Sequence, residues 1–431
     1  MIKQCCYTCI FFSALFLINK PVAAQENPEK NDTFFLAKKK GLLGRFGKSI
    51  SRTPPDDAPV KVENPFLKYR GKIIRSIESI RLGFEYDIDD TTRRKADLGV
   101  KLAKTFHKNS SKNVIGKNLF FRPGDQLSPY LLADNERYLR DLVYIKDARI
   151  LVEFAENSTD SVDVVVVTKD VFSIGGKLNI SSKDKARFEL RDENFLGSGD
   201  RILVSGFYEN PRSPNMGIGG EITKRNIGGS FIDAVAGYQD YGKAFSSDRN
   251  QETVFYTRLE KPLVTPYIPT TGALEYTYRR TRNVYNLDSA VYHDRFKYIN
   301  YSMDAWFGYS LDSKRSLYEN KEIRMHRFIA IRGFRTFFQI IPAQYRIKYN
   351  PGYADFTGGL TSINFFRQVF YKTSFIYGFG RNEDIPEGFS AATTLGYVRT
   401  ESGIIDSRRP YGGFDLSLSN FRKKGLYMNY T

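Results

Sequence analysis

Residues suited to acid–base or metal chemistry are few in this sequence, and they are widely spaced. The three histidines are His107, His293 and His326, and none belongs to a His-Glu-x-x-His pair. A zinc site needs three or four converging ligands, and two histidines at helical spacing are its usual local sign. We therefore expect three isolated surface or lumenal histidines and no metal site.

Three short motifs approach known ligand-binding loops without completing them. Gly44–Ser49 lacks the first glycine of a phosphate-binding loop, because Leu42 stands at that position. Asp87–Thr92 ends in threonine where a calcium loop needs glycine, and Gly217–Gly220 does not continue as a dinucleotide fingerprint. No Gly-x-Ser-x-Gly motif occurs. The sequence therefore predicts no catalytic residues, no cofactor and no enzyme activity.

The N-terminal residues predict secretion. A basic start, Met1–Lys3, is followed by an apolar stretch, Ile10–Ile18, and then by the small residues Ala23 and Ala24. This order is typical of a signal peptide, which we place at 1–24. All three cysteines lie in the first nine residues, so the mature chain would carry no thiol and no disulfide.

The composition is unusual for a water-soluble protein. Aromatic residues make up 15% of the chain, with 28 Tyr and 34 Phe, yet no apolar run reaches the ~18 residues of a membrane helix. Abundant aromatics with alternating polarity suit a transmembrane β-barrel. The net charge of +17 would also suit nucleic acid, but export excludes that partner. We expect a basic lumen and attraction to anionic outer-membrane lipid.

The region before the barrel divides into two parts. Residues 25–67 are polar and turn-rich, which predicts a periplasmic linker. Residues 68–175 show a compact α/β pattern in the order strand, helix, helix, strand, strand. These elements are expected at Lys72 to Phe84, Val114 to Phe121, a helix from Ser128 and Pro129, Ala148 to Phe154, and Val162 to Thr168.

Residues 177–431 change to strand-like segments, about twelve of them, separated by Gly, Asn, Asp and Pro clusters. The segment Ile299–Asp312 alternates strictly, with apolar Met303 on one face and Asp304 on the other. It is longer than an ordinary soluble strand and fits the roughly 9–11 residues of a membrane-crossing one. Because lipid offers no hydrogen-bond partner, such a sheet must close into a barrel. A soluble β-sandwich or lectin-like domain is the alternative.

Several stretches resemble a known superfamily. Phe121–Asp125, Asn135–Arg140 and Tyr144–Ala148 resemble parts of a polypeptide-transport-associated (POTRA) domain. Asp192–Asp200 resembles the first barrel hairpin of BamA/TamA-type outer-membrane assembly and translocation proteins, and Arg381–Gly388 resembles a loop of some members. The resemblance covers residues 68 to 431. The chain departs from the family in two ways. It has about twelve predicted strands where family barrels usually have sixteen, and it ends at Thr431 where they usually end on an aromatic residue. We therefore expect the chain to be either truncated or divergent.

The resemblance implies an all-β transmembrane barrel, possibly incomplete, preceded by one small α/β POTRA-like domain. Its implied role is to bind unfolded clients by strand addition and deliver them into or across the outer membrane. The candidate client-binding strand carries Ala148, Ile150, Val152 and Phe154, and Lys72–Ile77 is the alternative edge. A family motif on a lumenal loop corresponds to Arg332, Gly333 and Phe334, although these residues lie within a strand pattern here.

The implied partners are unfolded outer-membrane proteins, lipid, and periplasmic or lipoprotein accessory subunits. Two other functions remain open. A passive channel or structural barrel would use inward arginines such as Arg279 and Arg335 to favour anions. A lipid hydrolase would need a nucleophile with a positioned base, and no local sequence signature shows either.

Overall fold

The computed structural model describes residues 64–82, 108–156, 158–245, 247–265, 268–313, 325–374, 382–422 and 426–431. The predicted signal peptide, nearly all of the predicted linker, His107, Gly44–Ser49 and Asp87–Thr92 lie outside these ranges. Within the described residues, no helix combines the length and the hydropathy that a membrane-crossing helix needs.

A small α/β unit comes first, in the predicted order of elements. Its elements are β1 (Ile73–Leu82), α1 (Lys112–Lys117), α2 (Pro129–Asp141), β2 (Ile145–Phe154) and β3 (Ser161–Asp170). The first helix begins and ends earlier than predicted. The Ser111 hydroxyl caps it by accepting a bond from the Val114 amide, and the Asn118 side chain binds the Val114 carbonyl at its end. Phe121 therefore lies beyond the helix, where it is buried in the core.

The three strands form one mixed sheet in the order β1-β3-β2. β3 is central, parallel to β1 and antiparallel to β2, so β1 and β2 are both edge strands. Alternate residues of β2 and β3 point toward the helices, which gives one buried face and one open face. The core between sheet and helices is apolar and includes Ile74, Ile115, Leu132, Leu139, Val164 and Val166.

A second sheet of thirteen strands follows, one more than the sequence suggested. Each strand pairs antiparallel with the next along the chain. The strands are β4 (Ile174–Ser182), β5 (Lys185–Asp192), β6 (Arg201–Glu209), β7 (Met216–Lys224), β8 (Asp233–Lys243), β9 (Asn250–Lys261), β10 (Thr270–Thr281), β11 (Ile299–Ser310), β12 (His326–Ile340), β13 (Asp355–Ser374), β14 (Asn382–Glu401), β15 (Asp406–Arg422) and β16 (Leu426–Tyr430). A short helix, α3 (Ser289–Arg295), lies between β10 and β11.

This sheet confirms the predicted fold class, a barrel-type antiparallel sheet preceded by a small α/β unit. Its end strands are β4 and β16, and within the described residues these two strands do not pair with each other. One local expectation was wrong. Asn382–Gly388 was expected to form a loop, but these residues belong to β14 and pair with β13.

The sheet has an apolar outer face and a polar inner face. Register places Leu274, Ala305 and Gly333 in one row, and residues paired across neighbouring strands share a face. The next row, on the opposite face, contains Trp306 and Arg332. The outer face carries many exposed large apolar side chains, among them Leu178, Ile180, Leu190, Ile218, Ile222, Leu274, Met303, Phe307, Ile331, Ile363, Leu395, Phe414 and Leu416.

Glycines in the strands make room for aromatic rings from a neighbouring strand. A Cβ on Gly358 would lie 2.3 Å from the Phe334 ring, and one on Gly308 would lie 2.0 Å from the Phe328 ring. Rings therefore lie flat across the adjacent strand at these points. This packing explains why glycine, which ordinarily weakens a strand, occurs inside these strands.

The two ends of the large sheet differ. The near end carries the connections 193–200 and 225–232 and residues 262–265, which contact the small unit through Asn194, Asn226 and Thr265. The far end carries the longer connections 282–298 and 341–354. We use "near end" and "far end" in this sense below.

Candidate functional site

The predicted client-binding strand is an edge of the small sheet, and its backbone faces outward. The Ile150 amide donates to Glu136 Oε2 at 2.9 Å, and the Ala148 carbonyl accepts from Arg140 at 3.3 Å. Backbone groups that reach helix side chains cannot point at β3. Because orientation alternates along a strand, Val152 and Phe154 also direct their amide and carbonyl groups to this edge.

The side chains of the four predicted residues on β2 pack within the small unit. Ala148, Ile150 and Val152 are buried against the helices, whereas Phe154 is half exposed and packs on Tyr69 with ring centroids 5.1 Å apart. The edge therefore offers backbone rather than side chains to a partner. Such an edge can bind an extended chain through main-chain hydrogen bonds, with little preference for its sequence.

The alternative edge, Lys72–Ile77, is partly covered. The Leu127 amide donates to the Lys72 carbonyl at 2.8 Å, and Ile74 exchanges bonds with Asp125 and Gly124 at 3.0 and 2.8 Å. This half of β1 already has a neighbouring segment in the strand-pairing position. The partners of this half of β1 are thus backbone groups, whereas the partners of Ala148 and Ile150 on the edge of β2 are side chains.

On the open face of the small sheet, a carboxylate links β1 to β3. Asp163 accepts hydrogen bonds from the Arg75 guanidinium, with Nε at 2.9 Å, and from the Ser76 hydroxyl at 2.6 Å. These bonds favour the charged carboxylate and hold the pKa of Asp163 below its ordinary value. The pair is exposed, so we expect it to align β1 rather than to contribute much stability.

Two turns at the near end share a sequence and a hydrogen-bond pattern. Asn-x-x-Gly-Ser occurs at Asn194–Ser198 and again at Asn226–Ser230. In each turn the asparagine side-chain oxygen accepts a bond from the amide five residues later, at 2.8 Å in both cases. Each serine hydroxyl donates to the carbonyl three residues earlier, at 2.7 Å. We call these segments the docking turns.

The asparagine nitrogens of the docking turns bind the small unit. Asn194 Nδ2 donates to the Ser110 hydroxyl at 3.1 Å, and Asn226 Nδ2 donates to the Lys117 carbonyl at 2.8 Å. Both asparagines are buried. Each one therefore closes its own turn with its oxygen and holds the segment around α1 with its nitrogen.

Further contacts reinforce the same junction. Phe231, directly after the second docking turn, packs edge-on against Phe120 and Tyr138, with ring centroids 5.4 and 5.8 Å away. The Thr265 hydroxyl donates to Asp134 at 2.8 Å. Burial raises the pKa of Tyr138, so this hydroxyl stays protonated. The small unit is therefore held at the near end of the large sheet by both polar and aromatic contacts.

The candidate lumenal motif lies in the middle of β12, with its residues on alternating faces. Arg332 and Phe334 are on the inner face and Gly333 is on the outer face. Arg332 forms a two-pronged ion pair with Asp304 of β11, with Nε 2.9 Å from Oδ1. Arg332 therefore links β12 to the neighbouring strand β11 on the inner face.

One arginine expected on the inner face lies on the outer face. Arg335 pairs with Met303 of β11 and thus shares the apolar face. The expectation was wrong because side chains alternate between the two faces of a strand. Arg335 is three residues from Arg332, an odd number, so the two lie on opposite faces. Arg279 is on the inner face, where it lies 3.8 Å from Glu252.

Loops of the far end are tied together by a buried arginine. The Arg212 side chain is fully buried and donates to the carbonyls of Asp240 and Met216 at 2.7 Å each. It also reaches the carbonyls of Pro214 and Asn250, at 3.0 and 3.2 Å. One side chain thus satisfies acceptors from the β6–β7 connection, from β8 and from the start of β9.

Aromatic packing joins the remaining far-end connections. Tyr298 is fully buried, and its ring contacts Phe245, Tyr353 and Phe338, with centroids 4.8, 5.8 and 6.4 Å away. Phe338 is on the inner face of β12. The cluster therefore packs against the inner side of the sheet at the far end. Nothing in the sequence periodicity predicted this cluster, because its members come from β12 and from three separate connections.

Across the parts of the chain that the structure describes, no group of three His, Cys, Asp or Glu side chains is placed to hold a metal ion. His293 lies on α3, and His326 begins β12, where it stacks on Phe366 at 5.2 Å.

Comparisons with known proteins give structural likenesses only, since no family model and no curated protein matches the sequence. BamA from Haemophilus ducreyi lacking POTRA domains 1–3 is 12% identical, with 83% of this chain and 80% of that chain covered and a TM-score of 0.32. CdiB from Acinetobacter baumannii is 10% identical, with 82% and 68% covered and a TM-score of 0.35. CdiB from Escherichia coli is 11% identical, with 81% and 70% covered and a TM-score of 0.35. At these identities the likeness concerns architecture, and the activity must be argued from the residues of this chain.

Proposed function

We propose that this chain is an outer-membrane assembly and translocation factor that captures unfolded clients on the edge of β2. The observation that carries the proposal is the edge itself: among the described residues, the outward backbone donors and acceptors of Val152 and Phe154 have no partner. A client strand would add to β2 through main-chain hydrogen bonds and then pass to the sheet.

The outer face supports a membrane location for the large sheet. On β12, the outward side chains Ile329, Ile331 and Gly333 lie between Arg327 and Arg335. This stretch is close to the roughly 9–11 residues that a tilted strand needs to cross a bilayer. In this proposal 1–24 is a signal peptide, 25–67 a periplasmic linker, 68–175 a periplasmic domain and 177–431 the outer-membrane barrel.

The inner face gives less support to the alternative function, a passive channel. Charges such as Arg332 and Arg279 already face Asp304 and Glu252, so they do not form a free anion-selective ring. The cluster around Tyr298 also packs against the inner side at the far end. The geometry therefore favours protein assembly or translocation over open conduction.

A proline substitution tests the capture edge. Phe154→Pro removes an outward amide and places a ring where the client strand would lie, while the ladder to β3 loses no bond. We expect the full-length variant in detergent to bind an unfolded outer-membrane protein about tenfold more weakly, since one lost hydrogen bond and a steric clash act together. Binding is measured by fluorescence anisotropy.

Phe154→Ala is the matched control, because it removes the same aromatic side chain and keeps the amide. It should bind within twofold of the wild type. Depletion in cells provides the functional test: levels of outer-membrane proteins should fall, and Phe154→Ala but not Phe154→Pro should restore them. An unchanged outer-membrane proteome would contradict the proposed function.

A further inference from the structure

The edge of β2 is partly covered by an ion pair from α2. Glu136 and Arg140 lie one helical turn apart, with Oε1 and the guanidinium 2.6 Å from each other. The second carboxylate oxygen of Glu136 accepts from the Ile150 amide, and Arg140 donates to the Ala148 carbonyl. Together the two side chains occupy the donor and the acceptor that an added strand would use there.

The coverage stops halfway along the edge. Three of the four outward backbone groups on Ala148 and Ile150 are bonded, since the Ala148 amide also donates to Asp147 at 2.9 Å. For the outward groups of Val152 and Phe154, no partner is present among the described residues. The edge therefore has a closed half next to α2 and an open half at its C-terminal end.

We infer that the Glu136–Arg140 pair is a displaceable guard on the client-binding edge. This inference rests on the proposed function. A client strand pairs first with Phe154 and Val152, and it extends to Ile150 and Ala148 only by displacing both charged side chains. Charged side chains placed on a strand edge are a general means of preventing unwanted strand addition.

A client strand must pair strongly enough to displace the guard, because the bonds that the guard gives up are strong. Arg140 is almost fully buried, and its bond to Glu136 is charge-assisted, which makes it stronger than an ordinary backbone bond. A short or weakly pairing strand therefore stays on the open half. A long strand with a high β propensity gains enough new bonds to displace the pair.

The test replaces the guard with apolar side chains, so that no unpaired charge is left buried. Glu136→Ala/Arg140→Leu is prepared as the full chain in detergent. The probe is a labelled ten-residue peptide of alternating Val and Thr, and its affinity is measured by anisotropy. We expect about tenfold tighter binding than to the wild type, together with faster amide exchange at Ile150 and unchanged exchange at Val164.

The matched control is Lys72→Leu/Asp160→Ala, which removes an ion pair of the same net charge from the residues just before β1 and β3. It should bind the peptide as the wild type does. If the wild type binds and the guard variant binds equally or more weakly, the guard inference is wrong and the proposed function stands. If neither protein binds the peptide, both are overturned. Tighter binding by the guard variant alone supports the inference.

Discussion

Replacing Arg212 with alanine should destabilise the protein more than any surface charge change at the same end. The substitution removes the donors of four buried backbone carbonyls, whereas Asp240 keeps its ion pair with Arg282 at 2.7 Å. A buried acceptor that loses its donor costs about 1–3 kcal/mol, and four acceptors are affected, so the total is at least about 4 kcal/mol. We expect a loss of that size in the free energy of unfolding by urea in detergent. Planar-bilayer recordings should also show frequent openings where the wild type shows few.

Lys243→Ala is the control for Arg212→Ala. Lys243 is also at the far end, but its side chain is 64% exposed and its partner Asp248 is 93% exposed. We expect a change of less than about 0.5 kcal/mol there. Equal stability losses for the two variants would mean that Arg212 does not hold the far-end connections together.

Adding one methyl group to the first docking turn should loosen the small unit. A Cβ on Gly197 would lie 2.4 Å from the Asn109 carbonyl oxygen, so the segment before α1 must move away. For Gly197→Ala we expect a loss of about 2 kcal/mol or more in unfolding free energy, from overpacking and from the positive φ of +74°. Limited proteolysis should cut the segment between β3 and β4 faster.

The second docking turn provides the control for this change. Gly228 also has a positive φ, +63°, but a Cβ there would meet nothing within 4 Å. Gly228→Ala therefore carries the backbone cost alone, about 1 kcal/mol. If both variants lose the same stability and are cut at the same rate, the contact at Asn109 does not hold the junction.

The fold was predictable because its signals are local. Period-two alternation identified all of β11 and extended it two residues too far, and Ser128 with Pro129 marked the start of α2. The order of elements in the small unit followed from the same patterns. The helix α1 was misplaced, because the bonds that end it involve Asn118, whose role depends on tertiary contacts.

The site was only partly predictable. The sequence indicated the strand with Ala148 and Ile150, but it could not show that α2 covers half of its edge, since that depends on packing. The face of Arg335 could have been assigned from the sequence, because its odd spacing from Arg332 puts the two on opposite faces. The docking turns also left a signal, the repeated Asn-x-x-Gly-Ser, whose meaning became clear only from the contacts that both asparagines make with the segment around α1.

The central claim is that alternate side chains of the long strands face lipid. Cysteine scanning along β11 tests it most directly, because all native cysteines lie in the predicted signal peptide. Nitroxide labels are placed one at a time at residues 302 to 307 in reconstituted protein. Their accessibility should alternate between lipid and water from one residue to the next. Met303, Ala305 and Phe307 should be accessible to oxygen in the bilayer, whereas Ser302, Asp304 and Trp306 should be accessible to a water-soluble quencher. Labels that are all equally accessible to the water-soluble quencher would contradict the account.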